Sequence, residues 1–278
     1  MISRTYPALM ALVLAGLATP ALADETPGDY NGPYIAVSGG LATHDDHGAA
    51  TIVFDTNRDG TFNNTVLTST GANAFGPGFC NGRTSLPDQA TTPCTRDHDA
   101  AEYAVRLGYD ARYGNIVMGV MVEGAKSNAT DSTTAFSTTP ASYSFTRGID
   151  YAVSARARVG FAPGNRGLMY VTGGPSYAKI NHTFTTTNTV NSFTPVNPDK
   201  MVLGWQAGGG AEVVLGGGLT LGMEYLYNRY HDDKYYVAVG NGTAGPTNPF
   251  VLAGGVNAGP QDVRYDFHSF RAVLGFRF

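Results

Sequence analysis

The sequence predicts an all-β chain, folded as an eight-stranded antiparallel up-and-down transmembrane β-barrel. Three observations carry that prediction. Apolar and polar residues alternate with a two-residue period in segment after segment. The connections between those segments alternate between tight turns and long, polar stretches. Glycine falls on the same strand face as the charged residues.

Length and composition bound the class. A chain of 278 residues is enough for one large all-β domain. Charged residues make up 14% of it, well below the roughly 25% usual for soluble domains. A net charge of −4 offers no basic footprint for nucleic acid. No window reaches the ~20 apolar residues of a spanning helix. Residues 1–23 read as a signal peptide, with one positive charge at Arg4, an apolar run from Ala8 to Ala18, and a small-x-small cleavage site at Ala21-Leu22-Ala23. The next residue is Asp24 rather than Cys, which argues against a lipid anchor. The expectation is an exported domain spanning 24–278.

The elements follow in order. Residues 34–41 form the first strand, without a clean division of faces. In 102–110, Tyr103, Val105, Leu107 and Tyr109 take one parity, while Glu102, Ala104, Arg106, Gly108 and Asp110 take the other. In 116–124, Ile116, Met118, Val120 and Val122 oppose Gly119 and Glu123. In 150–161, Tyr151, Val153, Val159 and Phe161 oppose Ser154, Arg156, Arg158 and Gly160. Residues 168–179 are a fifth strand, again with faces unassigned. Segments 203–215, 219–227 and 270–278 complete the set. Three connections are tight (110–115, 163–167 and 216–218) and rich in turn formers. Four are long (44–100, 126–148, 181–200 and 231–261), and their Thr, Ser, Asn and Gly content predicts flexible, polar loops.

Glycine decides which face points inward. Gly108, Gly119, Gly160, Gly204, Gly208, Gly210, Gly222 and Gly275 share the parity of the charges. Small residues are needed where side chains crowd, and that place is the interior of a narrow barrel. The apolar face therefore points to lipid, the reverse of a soluble barrel. Inward charges of both signs follow: Arg106, Arg156, Arg158 and Arg271 against Glu102, Glu123, Asp150, Glu212 and Glu224. Eight strands enclose just enough room for side chains to fill, and balanced buried charges should pair. The expectation is a closed, salt-bridged lumen rather than the one-sign ring of a selective pore. No catalytic activity is expected. His268 and Ser269 are adjacent, so a strand sends them to opposite sides, and no other Ser/His/Asp set shares a strand face.

The first long connection carries two further features. Cys80 and Cys94 bracket NGRTSLPDQATTP, and in an exported chain a disulfide is expected. In FDTNRDGTFNN, Asp55, Asn57 and Asp59 occupy the first, third and fifth positions of a calcium loop. Gly60 is sixth, and Thr61 would offer its carbonyl at the seventh. The twelfth position, where a bidentate Glu belongs, is Val66. Two readings stay open: a weak calcium site that stiffens the loop, and an Asx-rich hairpin turning through Asn57-Arg58-Asp59-Gly60. Neither requires a cofactor.

The last stretch, HSFRAVLGFRF, sets Phe270, Ala272, Leu274, Phe276 and Phe278 on one face. It resembles the C-terminal signal by which outer-membrane assembly machinery recognises barrels. With RLGYDARYGN, SARARVGF, YVTGG and GLTLGMEYLYNRY, residues 24–278 resemble the porin-family, opacity-type, outer-membrane-protein-A-like surface proteins. The resemblance implies a barrel in the Gram-negative outer membrane, surrounded by lipid and lipopolysaccharide, with tight turns in the periplasm and long loops outside. It implies a structural, surface-exposed protein with a closed lumen; the alternatives are a small passive porin, or an adhesin or receptor acting through its loops. The first connection exceeds the family pattern and is peculiar to this chain. His44-Asp45-Asp46-His47, Asp97-His98-Asp99 and His231-Asp232-Asp233 would stand at the outer rim. There they either ligate a metal such as zinc or face divalent cations and lipopolysaccharide sugars.

Overall fold

The computed structural model describes residues 30–44, 51–84, 94–95, 97, 100–164 and 166–278. The expected signal peptide lies outside the described residues. The barrel strands are β1 (Gly32–His44), β2 (Ala100–Tyr113), β3 (Ile116–Ser127), β4 (Ala141–Phe161), β5 (Gly167–Thr186), β6 (Asp199–Gly216), β7 (Leu219–His231) and β8 (Arg264–Arg277). Each pairs antiparallel with the next, and β8 returns to pair with β1, Leu274 opposite Val37. The ring leaves the shared strand lengths without a free edge, which hydrocarbon demands of any spanning sheet.

Burial assigns the faces as the parity predicts. In β2, Glu102, Arg106 and Asp110 are buried, while Tyr103, Val105 and Tyr109 are 55%, 48% and 54% exposed. An apolar face this open is stable only against lipid. The two strands left unassigned resolve in the same way. Tyr34 and Ala36 of β1 and Leu168, Tyr170 and Ser176 of β5 point inward; Val37, Leu41, Met169 and Val171 point out. The lumen glycines meet the crowding that called for them. A Cβ on Gly210 would stand 2.7 Å from the Tyr170 hydroxyl, and one on Gly222 would stand 2.7 Å from Glu212 Cγ. At the β6–β7 turn, Gly216, Gly217 and Gly218 adopt φ of +128°, +58° and +82°, conformations that favour glycine.

Asp150 is a correction to the expected lumen set. The β4–β5 register shifts between Lys179 and Ile180, so that Tyr151 and Ile149 are paired and Asp150 is skipped. Such a bulge re-aims a side chain. The Asp150 carboxylate lies 3.6 Å from Lys126 Nζ and 3.4 Å from Lys179 Nζ, on the partly exposed outer wall.

The long connections are a second correction, because they fold into a head above the barrel. β4 begins at Ala141 and β5 runs to Thr186, well beyond the predicted ends. The strand Thr130–Ser137 forms a hairpin with the start of β4, and Gly78–Asn81 adds to its edge. A four-stranded antiparallel sheet is assembled from three different connections in the order Ser192–Val196, Tyr236–Gly240, Val256–Pro260 and Ile52–Asp55. A helix, Pro249–Leu252, is capped by the Asn248 side chain. Between these pieces lies a core that includes Phe54, Phe75, Tyr143, Phe145, Val237, Phe250 and Val256. Its residues come as short alternating sets from separate connections, such as Ile52 and Phe54, Tyr143 and Phe145, and Tyr235, Val237 and Val239, and only their assembly makes a core.

Candidate functional site

The lumen is built by charges that strand parity turns inward and strand register brings to matching heights. Glu123 on β3 accepts from Arg106 Nη2 at 2.7 Å, Arg156 Nη2 at 2.8 Å and Arg271 Nη1 at 2.6 Å. Glu224 on β7 accepts from Arg106 Nη2 at 2.5 Å and from the Tyr170 hydroxyl at 2.9 Å. Glu102 pairs with Arg271. Lower down, Arg158 pairs with Asp110 and lies 2.8 Å from Glu212, while Arg277 also pairs with Asp110. The network thus joins Arg106, Arg156, Arg158, Arg271 and Arg277 to Glu102, Asp110, Glu123, Glu212 and Glu224, equal numbers of each sign. All of these side chains are buried. The Arg158 guanidinium lies over the rings of Tyr34 (4.6 Å) and Tyr170 (5.1 Å), which adds cation–π attraction.

Apolar clusters flank the charged network on both sides. Toward the tight turns, Tyr30, Val117, Ala162, Leu168 and Tyr170 pack together, and the Tyr30 hydroxyl donates to the Glu212 carbonyl at 3.0 Å. Toward the head, Ile149, Ala178, Ile180, Val202, Tyr230, Tyr265 and Phe267 belong to another cluster. Just above it, His182 Nε2 meets Asp232 Oδ2 at 2.6 Å, and the imidazole stacks on Tyr235 at 4.1 Å. Arg147 donates to Asp131 at 2.7 Å and to the Asp262 carbonyl at 3.0 Å.

In the head, Cys80 and Cys94 are joined in a disulfide with Cα atoms 6.0 Å apart. The FDTNRDGTFNN stretch turns tightly, with an isolated bridge between Phe54 and Asn64. Asp55 is buried, and its two oxygens accept the backbone N–H groups of Asp59 (3.2 Å) and Gly60 (3.1 Å). Asp59 accepts from the Thr61 N–H at 2.7 Å and from Asn57 Nδ2 at 2.8 Å. The Thr61 N–H, with the Asn57 amide and the Thr61 hydroxyl, holds the Asp59 carboxyl below its ordinary value. Of the three rim clusters, Asp45, Asp46, His47, His98 and Asp99 lie outside the described residues. Asp97 accepts from the Ser132 N–H at 2.9 Å, Asp232 is held by His182, and His231 lies 3.6 Å from Asp233. Among the described residues, no three His, Cys, Asp or Glu side chains gather as a metal site.

On β8 the neighbours His268 and Ser269 part to opposite faces. Ser269 is buried and accepts from Asn228 Nδ2 at 2.9 Å, whereas His268 Nδ1 meets the exposed Tyr225 hydroxyl at 2.7 Å. Phe270, Leu274, Phe276 and Phe278 all stand exposed on the outer wall. Sequence reasoning missed Asp110 and Arg277 as network members, although both have the inward parity. It also missed the His182–Asp232 pair, whose partners come from separate long connections and share no pattern.

Comparison with known proteins follows the same line. The family model for the outer membrane protein β-barrel domain matches residues 9–278. The 31 kDa outer-membrane immunogenic protein of Brucella melitensis is 30% identical over 124 residues, covering 44% of this chain and 51% of that protein. The chain thus spans about half the length of the curated relatives it matches. The solved structure of OprG from Pseudomonas aeruginosa aligns with a TM-score of 0.50 at 12% identity, covering 91% of this chain and 100% of OprG. Neisserial surface protein A aligns at 11% identity with a TM-score of 0.32, covering 89% of this chain and 98% of that one.

Proposed function

Because the chain belongs to the outer membrane protein β-barrel domain family and lies in the Gram-negative outer membrane, we propose that it is a structural, surface-exposed barrel with a closed polar lumen. The observation that carries this reading is the charge-balanced network, in which buried guanidinium groups reach across from wall to wall. Ions could pass only by breaking several such contacts at once, and removing one partner from a buried pair costs about 3–5 kcal/mol. The apolar clusters that flank the network add to the block. The outward phenylalanines of β8 support recognition by the assembly machinery. No catalytic role is inferred, and the adjacent His268 and Ser269 face apart.

Planar-bilayer recording of purified, folded protein is the test. The expected trace is silent or shows only rare, small openings. Large, long-lived conductance would favour the small passive porin instead. An adhesin or receptor role is the second reading, favoured by one observation: the outward connections form a head with its own apolar core.

A further inference from the structure

The long connections do more than cover the barrel. A cavity of about 190 Å³ opens where all of them converge, with walls from Phe75, Pro140, Tyr143, Asn188, Val190 and Phe250 among others. We infer that this pocket binds a single neutral sugar ring, such as the terminal hexose of a glycan.

Size is the first argument. A dry cavity of about 150 Å³ holds benzene, so this one takes one six-membered ring with substituents and not a chain of them. Charge is the second. None of the described residues lining the pocket is charged, so a phosphate, a carboxylate or an ammonium group entering it would lose its water without gaining a counter-ion. Burial also raises the Tyr143 phenol above its ordinary value, so the ring stays neutral.

The chemistry of the walls is the third argument. Phe75, Tyr143 and Phe250 form the floor, with Tyr143 and Phe250 centroids 5.3 Å and 6.0 Å from that of Phe75. Aromatic rings suit the C–H face of a pyranose. Thr138, Thr139 and Thr189 are exposed on the lining and present hydroxyl groups at the mouth. The walls are also set in advance. Asn188 Nδ2 donates to the Tyr143 hydroxyl at 3.0 Å and to Asn191 Oδ1 at 2.9 Å; Asn248 Nδ2 donates to the same Asn191 oxygen at 3.1 Å. That ties the third connection to the second and fourth, so little ordering is left for a ligand to impose. A purely apolar ring would fill the same space without using the threonine hydroxyls, so toluene serves as the competing probe in the test.

The inference rests on the reading that the head faces the medium, and the two can fail separately. Cleavage of the head by protease on intact cells tests orientation alone. For the pocket, saturation-transfer NMR would be run on purified protein in micelles with glucose, galactose, mannose and N-acetylglucosamine. Transfer to at least one of them is expected. It should vanish in Val190→Arg, which places a long cation at the mouth from a position already 45% exposed. It should weaken roughly fivefold in Thr189→Ala, the loss of one neutral hydrogen bond. Heat-modified electrophoretic mobility reports whether the barrel of each variant is folded, and unchanged resistance of residues 51–84 to limited proteolysis reports the same for the head. The inference is overturned by absence of transfer to all four sugars, by transfer that survives Val190→Arg in folded protein, or by toluene occupying the pocket with no sugar competing.

Discussion

Glu123 concentrates the energetics of the lumen in one carboxylate, since Arg106, Arg156 and Arg271 all donate to it and it is 1% exposed. Removing it leaves those guanidinium groups with Glu102 and Glu224 alone, an excess of positive charge in a low-dielectric space. Glu123→Ala should therefore cost about 3–5 kcal/mol, read as a lower midpoint in a urea titration of the heat-modifiable form. A loss under about 1 kcal/mol would mean that the lumen is wet and its charges solvated. At this scale the sequence was largely legible, because strand parity alone puts Glu123, Arg106, Arg156 and Arg271 on the inner face. What parity cannot reveal is height. Which Arg meets which Glu depends on strand stagger, so Asp110 and Arg277 were left out of the expected set although they pair in the lumen.

At the scale of the element, β8 is the strand that closes the ring, paired to β7 on one side and β1 on the other. Leu274 sits opposite Val37 and Leu221, in the middle of an outward row with Phe270 and Phe276. Leu274→Arg would place a charge in hydrocarbon at a cost of about 2–4 kcal/mol near the midplane. It would also disrupt the terminal strand proposed to be read during assembly. The variant should accumulate in the periplasm or be degraded, as fractionation and immunoblotting would report; normal, heat-modifiable protein in the outer membrane would contradict the assigned face. Strand existence was readable wherever one face meets lipid and the other the lumen. It was unreadable in 141–147, where nearly every residue of both faces is buried in the head. There Ser and Thr hydroxyls pair across the sheet, as in Thr134 with Ser144 at 2.7 Å and Ser132 with Thr146 at 3.0 Å, and the two-residue contrast disappears. The Asp150 bulge was hidden for a related reason, since one inserted residue inverts parity without changing composition.

For the whole molecule, two cores of opposite character share one chain. The barrel keeps its charges inside and its apolar side chains against lipid, whereas the head buries aromatic residues among themselves in the ordinary way. Barrel strands are locked by a closed hydrogen-bonded ring, but the head is held by packing between segments distant in sequence and by Cys80–Cys94. In the chain-entropy picture, closing a loop of about 15 residues is worth roughly 3 kcal/mol, and here the whole of it falls to the head. Reduction should therefore loosen the first connection and leave the barrel intact. The experiment is limited proteolysis of folded protein with and without reductant, or of Cys80→Ser/Cys94→Ser. Cleavage in residues 51–84 should speed up while a protected barrel fragment and its heat-modified mobility persist. If reduction instead unfolds the barrel, head and barrel form one cooperative unit; if cleavage does not change, packing of Phe54 and Phe75 against their neighbours, 4.4 Å apart at their own ring centroids, holds the first connection without the bond.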